Sequence, residues 1–150
     1  MKTPYFLIDE KKLIENLSLL KNVSERADCK ILLAQKAYSI YQTYPLFSEY
    51  LSGSTASGLY EAKLGREEFG GEVHVFSPAY RKEDIKKLVK ICDHIVFNTP
   101  SQVNKFAPLC KAAGVSVGLR INPECSTQEG HAIYDPCSPG SRLGTTLANF

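Results

Sequence analysis

The sequence is missing several patterns, and each absence removes a class of function. No apolar run in the 150 residues approaches the ~18 that a membrane-crossing helix needs. Met1 to Asp9 has no charged start followed by an apolar core, so it does not read as a secretory signal. No run of five or more basic residues occurs, and a net charge of +2 is too mild to argue for nucleic acid. The five cysteines (Cys29, Cys92, Cys110, Cys125 and Cys137) are odd in number and include no CxxC pair. Reduced thiols in a cytoplasmic protein are the expectation. No GxGxxG is present. Gly53 and Gly58 have phosphate-loop spacing, but Leu59 and Tyr60 stand where Lys and Ser/Thr are required.

What is present is a repeat. Five short apolar runs follow one another: Lys30 to Ala34, Gly53 to Ala56, Glu72 to Phe76, His94 to Asn98 and Val115 to Ile121. Centred on Leu32, Ser54, Val75, Val96 and Gly118, they are spaced by 22, 21, 21 and 22 residues. Such runs fit strands buried on both faces. Helical patterns fill the gaps. Asp9 can cap a helix with Leu13, Leu17 and Leu20 on one stripe, and a short strand, Tyr5 to Ile8, precedes it. Ser57 can cap a helix through Leu59, Ala62 and Phe69. Ile85, Leu88 and Val89 share a face. Thr99-Pro100-Ser101-Gln102 is a capping-box start with proline at the first helical position. That helix should be kinked or shortened by Pro108 and should stop at Gly114.

Regular βα units at this spacing imply a parallel sheet with right-handed crossovers. Two architectures compete: a doubly wound sheet, and a (β/α)₈ TIM barrel that typically needs ~250 residues. The even spacing and the missing nucleotide loop favour the barrel, incomplete here at about five units.

Catalytic side chains of such barrels come from strand C-terminal ends. Lys36 lies two residues past the first run, in Leu33-Ala34-Gln35-Lys36-Ala37, among apolar neighbours. There a lysine could lose its proton and attack a carbonyl, or simply be a surface loop residue. Arg120 lies inside the last run and is expected to point into the barrel mouth toward an anion, or into a structural ion pair. Arg142 follows a long irregular stretch from Asn122, of a length often functional, although a solvated loop arginine is the simpler reading. Cys125, His131 and Cys137 have six-residue spacings that match no zinc pattern. His74 and His94 read as satisfied strand histidines, and Glu61, Glu67 and Glu83 as solvated helix faces.

Several segments resemble a known family. Thr3-Pro4-Tyr5-Phe6-Leu7-Ile8-Asp9 and Leu33-Ala34-Gln35-Lys36-Ala37 are similar to the amino-acid decarboxylases of the alanine racemase fold. Ser54-Thr55-Ala56-Ser57, Leu64 to His74, Cys92 to Asn98, Gly118 to Glu124 and above all Ile133 to Gly144 resemble the carboxynorspermidine (carboxyspermidine) decarboxylases. The resemblance implies pyridoxal 5′-phosphate (PLP) as cofactor, a polyamine-precursor substrate, and a homodimer in the complete protein. Lys36 matches the lysine that carries PLP, and Arg120 and Arg142 match arginines near it. Residues 1–8 would be a strand packed on a C-terminal β domain, and residues 9–150 part of the PLP-binding barrel. Ser54 stands where related decarboxylases usually have Asp, which would remove a cofactor-proximal group. Gln35 stands where small or apolar residues are common. The phosphate-binding loops and second domain would lie beyond Phe150, so residues 1–150 alone are expected to be inactive. A diaminopimelate-type decarboxylase and a non-catalytic PLP-binding or regulatory protein are the alternatives.

Overall fold

A computed structural model describes residues 3–127, 129–130 and 132–150. Five strands form one parallel sheet: β1 (Leu32–Ala34), β2 (Gly53–Ala56), β3 (Glu72–Phe76), β4 (His94–Phe97) and β5 (Ser116–Leu119). Their order in the sheet is their order in the chain. That order has no reversal, so the sheet contains no topological switch point of the doubly wound kind. The helices are α1 (Glu10–Ala27), α2 (Tyr44–Ser48), α3 (Leu59–Leu64), α4 (Lys82–Leu88) and α5 (Pro100–Ala112).

Side chains alternate along a strand, so register decides which residues share a face. Leu33 pairs with Ser54 and Ser54 with Val73, while Val75 pairs with Ile95. This face carries the core. Val73, Val75, Ile95 and Phe97 pack with Ala62, Ile85, Leu88, Phe106 and Cys110 of α3, α4 and α5. Leu33 packs with Leu17 of α1 and Tyr44 and Phe47 of α2. All five helices therefore cover one side. The other side carries Ala34, Thr55, His74, Phe76, His94 and Val96, which are half-buried or exposed. Burial on both faces, as the apolar runs suggest, is thus not met by the described residues.

Helix ends follow side-chain chemistry. Asp9 accepts a hydrogen bond from the Lys12 N–H and caps α1, with Leu17 buried beneath it. Leu20 of the expected stripe is exposed. The Thr99 side chain accepts from the Gln102 N–H at the start of α5. The helix continues past Pro108 to Ala112, and Gly114 follows with φ +72°. Ser57 does not cap α3, whose N-cap is Gly58 with no side-chain bond. Instead Glu61 reaches back, its Oε2 accepting from the Ser57 N–H at 2.6 Å. Glu61 is therefore an anchor and not a free solvated charge, whereas Glu67 and Glu83 are exposed as expected. Tyr5 to Ile8 is extended chain outside the sheet, and the β domain it was expected to pack on is not part of these residues. The segment has no sheet partner among the described residues, and Phe6 is 99% exposed.

Beneath β1 and β2 the helix side holds a polar knot. Gln35 and Ser54 are buried, and Gln35 Nε2 donates to the Glu61 carbonyl at 2.9 Å. The Tyr44 hydroxyl donates to Gln35 Oε1 at 3.4 Å. Ser54 thus faces the helix layer. Gly65 makes room for the knot: a Cβ there would collide with Ser54 Oγ and stand 2.8 Å from Gln35 Nε2. Gly65→Ala should therefore cost about 1–3 kcal/mol, the usual range for overpacking. Ser54→Ala in the same protein should recover part of that loss in urea-unfolding midpoints. No loss in Gly65→Ala would contradict the packing.

Candidate functional site

Parallel strands end together, so the residues just past each strand gather at one edge. Past β1, the Gln35 N–H extends the ladder to the Thr55 carbonyl at 3.2 Å. The Ala37 N–H then turns back to the Ala34 carbonyl at 2.9 Å. Lys36 sits in this turn. It is exposed, not sheltered among apolar side chains as its neighbours in sequence suggest. The reason is alternation: Leu33 and Gln35 point into the helix layer, leaving the lysine free of both.

Past β5, Arg120 lies on the face opposite the helices. Its guanidinium carbon stands 4.6 Å from the centre of the Phe76 ring. Leu119 pairs with Phe97 and belongs to the helix-facing side. Arg120 is half-buried, yet it forms no ion pair among the described residues. The structural ion pair considered for it is therefore not made here. A half-buried cation held by a ring face and no carboxylate keeps its charge available to an anion.

Arg142 is exposed and likewise has no acid partner among the described residues. Its backbone is firmly held. Asn98, just past β4, donates from Nδ2 to the Arg142 carbonyl at 2.9 Å and accepts at Oδ1 from the Gly144 N–H at 2.6 Å. Thr145 then bridges Ile121 in parallel, its N–H donating to the Arg120 carbonyl at 2.9 Å. Sequence reading missed Asn98. The signal available was only its place before the Thr99-Pro100 helix start. Of the metal reading, His131 lies outside the described residues; Cys125 is exposed, and the Cys137 N–H donates to Asp135 Oδ1 at 2.8 Å.

Lower on the same face runs a chain of titratable groups. Lys30 contacts Glu72, whose other oxygen lies 3.0 Å from His74 Nε2. His74 stacks on His94 at 5.1 Å between ring centres, and His94 Nδ1 meets Ser116 Oγ at 2.8 Å. Both histidines are satisfied strand residues, as expected. The hydrogen bond from Lys30, then that from His74, holds the Glu72 carboxyl below its ordinary range.

No family model matches the chain. Curated relatives and a solved structure do. A carboxynorspermidine/carboxyspermidine decarboxylase of Herminiimonas arsenicoxydans is 41% identical over 144 residues, covering 96% of this chain and 39% of the relative. A crystal structure of Campylobacter jejuni carboxynorspermidine decarboxylase complexed with norspermidine covers 100% of this chain and 37% of its own, with a TM-score of 0.87 at 35% identity. The chain is similar to a part of the carboxynorspermidine/carboxyspermidine decarboxylases. A carboxyaminopropylagmatine decarboxylase of Synechocystis sp. is 37% identical over 148 residues, covering 99% of this chain and 38% of that protein. The chain thus spans less than two-fifths of these decarboxylases' length, and the similarity runs through the segments around Lys36, Asn98, Arg120 and Arg142.

A pH dependence follows from the histidine pair. Burial, and next the neighbouring His74, holds His94 below its ordinary pKa of 6.5, with Glu72 opposing. The folded chain therefore binds this proton less readily than the unfolded chain. Stability should fall as pH drops below about 6.5 and level off once His94 is itself protonated. Glu72 titrates below this window, its pKa being lowered from 4.5. Thermal melts at pH 7.5 and 5.5 should differ less in His94→Gln than in the parent. An equal pH slope in both would refute the assignment.

Proposed function

We propose that the full-length protein carrying this chain is a PLP-dependent decarboxylase of carboxynorspermidine or carboxyspermidine, acting in polyamine synthesis. The similarity to these decarboxylases over nearly the whole chain carries the reading, and it is supported by Lys36 past β1 and Arg120 past β5 at the strands' C-terminal ends, with Arg142 in the loop that follows. Lys36, Arg120 and Arg142 have no acid partner among the described residues. A phosphorylated aldehyde with a phenolic oxygen suits them: an amine for its carbonyl and guanidinium groups for its anionic oxygens. The helix-covered, sequence-ordered sheet also suits the alanine-racemase-type (β/α)₈ barrel, in which each right-handed crossover lands on the outside.

Bound there, PLP would supply an electron sink for the pair released as the carboxylate leaves. The chain's own part is to hold and orient. Lys36 would carry the cofactor covalently, on a turn stiffened by Gln35 below it. Arg120 would hold an anionic oxygen above Phe76, with its guanidinium already on the open face. Arg142 would act from the loop after β5. Fixing the group that loses CO₂ relative to the ring is where most of the rate advantage of positioning arises.

The Synechocystis relative supports a second substrate, carboxyaminopropylagmatine, at nearly the same identity. CO₂ release by the full-length protein from each of the three substrates separates them. The site itself is tested by borohydride reduction with PLP followed by peptide mapping. The pyridoxyl label should fall on Lys36, and Lys36→Ala should lose both label and turnover, a fall of several orders of magnitude. A label confined to another lysine would sink the reading.

A further inference from the structure

We propose that Asn98 is the positioning residue for Arg142, clasping its loop so that the guanidinium is presented to the cofactor before any ligand arrives. The inference rests on the reading of Arg142 as a cofactor-binding group.

Asn98 is 7% exposed and stands one residue past β4. Both ends of its amide are used on one short segment, the Arg142 carbonyl and the Gly144 N–H. Only a side chain with a donor and an acceptor on one planar group can hold a carbonyl and an N–H two residues apart in this way. The backbone of Asn98 is itself braced. The Asn98 N–H donates to Gln102 Oε1 at 2.8 Å, and Gln102 Nε2 donates to the Pro78 carbonyl at 2.8 Å. The clasp therefore ties the end of β4 to the loop after β3 and to the first turn of α5.

From the other side, β5 holds the same segment. Thr145 is buried, and its N–H and carbonyl bond Arg120 and Asn122. Gly144 has φ +82°, and a Cβ there would stand 2.8 Å from the Asn122 nitrogen. The backbone of residues 142–145 is thus gripped between β4 and β5, whereas the Arg142 side chain is exposed. A long side chain on a mobile loop loses rotamer and backbone freedom when it binds; on a clamped backbone only the rotamer term remains. The clasp lowers the entropic cost of binding while making no contact with the ligand.

The test is a double-mutant cycle in the full-length protein, reading the PLP dissociation constant by titrating the apoprotein. Asn98→Ala and Arg142→Met should each weaken PLP binding about tenfold. The double variant should bind no more weakly than Arg142→Met alone, because a loosened loop costs nothing once its arginine is gone. Amide exchange in the apoprotein should rise at Gly144 and Thr145 in Asn98→Ala while β4 stays protected. Should the alanine variant fail to fold, Asn98→Asp serves, since it keeps the acceptor for Gly144 and places an oxygen against the Arg142 carbonyl. Losses that multiply in the double variant overturn the proposal, as does Arg142→Met binding PLP normally. In either case the pyridoxyl label on Lys36 still decides the functional reading separately.

Discussion

One-sided winding governs this chain. Each strand lies beside its predecessor, and crossovers that all follow the usual right-handed rule land every helix on the same face of the sheet. The helix-facing residues are then committed to packing, and Val73, Ile85, Leu88, Ile95 and Phe97 are almost wholly buried. Among the sheet's own residues, the polar groups apart from the buried Ser54 lie on the opposite face or at the C-terminal edge. Glu72, His74, His94 and Arg120 all occur there. Stability and chemistry are thereby assigned to different faces of the same residues-alternating strands, and a change on one face need not disturb the other.

The edge beneath Lys36 shows where the two duties meet. Gln35 points into the core and Lys36 follows it into the open turn. A buried amide without partners would cost about 1–3 kcal/mol, so its bond to the Glu61 carbonyl is required for folding as well as for fixing the turn. Glu61 is used twice, its carbonyl by Gln35 and its carboxylate by the Ser57 N–H. The loops after β1 and β2 are consequently coupled through one residue of α3. A rigid turn at Lys36 follows from this core arrangement.

Strand positions were legible because each apolar run is short, evenly spaced and bounded by turn residues; Gly53 to Ala56 and Glu72 to Phe76 match their strands residue for residue. The caps at Asp9 and Thr99 were legible because they are local. What lay beyond reach depends on contacts far apart in sequence. Asn98 meets residues 44 and 46 positions later, and no periodicity encodes that. Ser57 has a capping side chain, but the helix starts one residue later, after Gly58, and Ser57 instead donates its N–H to Glu61. Lys36 was placed at the correct edge, but its exposure depends on which way Gln35 turns, and composition does not reveal that.

Arg120 and Arg142, neither of which has an acid partner among the described residues, are held in different ways. Arg120 is held by a ring face, a contact worth about 0.5–1 kcal/mol at a partly exposed site. A carboxylate in that place would bind the guanidinium more tightly and would have to be displaced by any incoming anion. Phe76 therefore orients the arginine without neutralising it. Arg142 is oriented by a different means, through its backbone, and its side chain stays in water. An anion meeting both would exchange weak or solvent contacts for charge-assisted bonds, with little structure to break first. In the proposed reading, strand alternation on β3 and β5 sets Arg120 over a neutral ring, whereas the Asn98 clasp fixes the backbone of Arg142 and leaves its side chain to find its rotamer on binding.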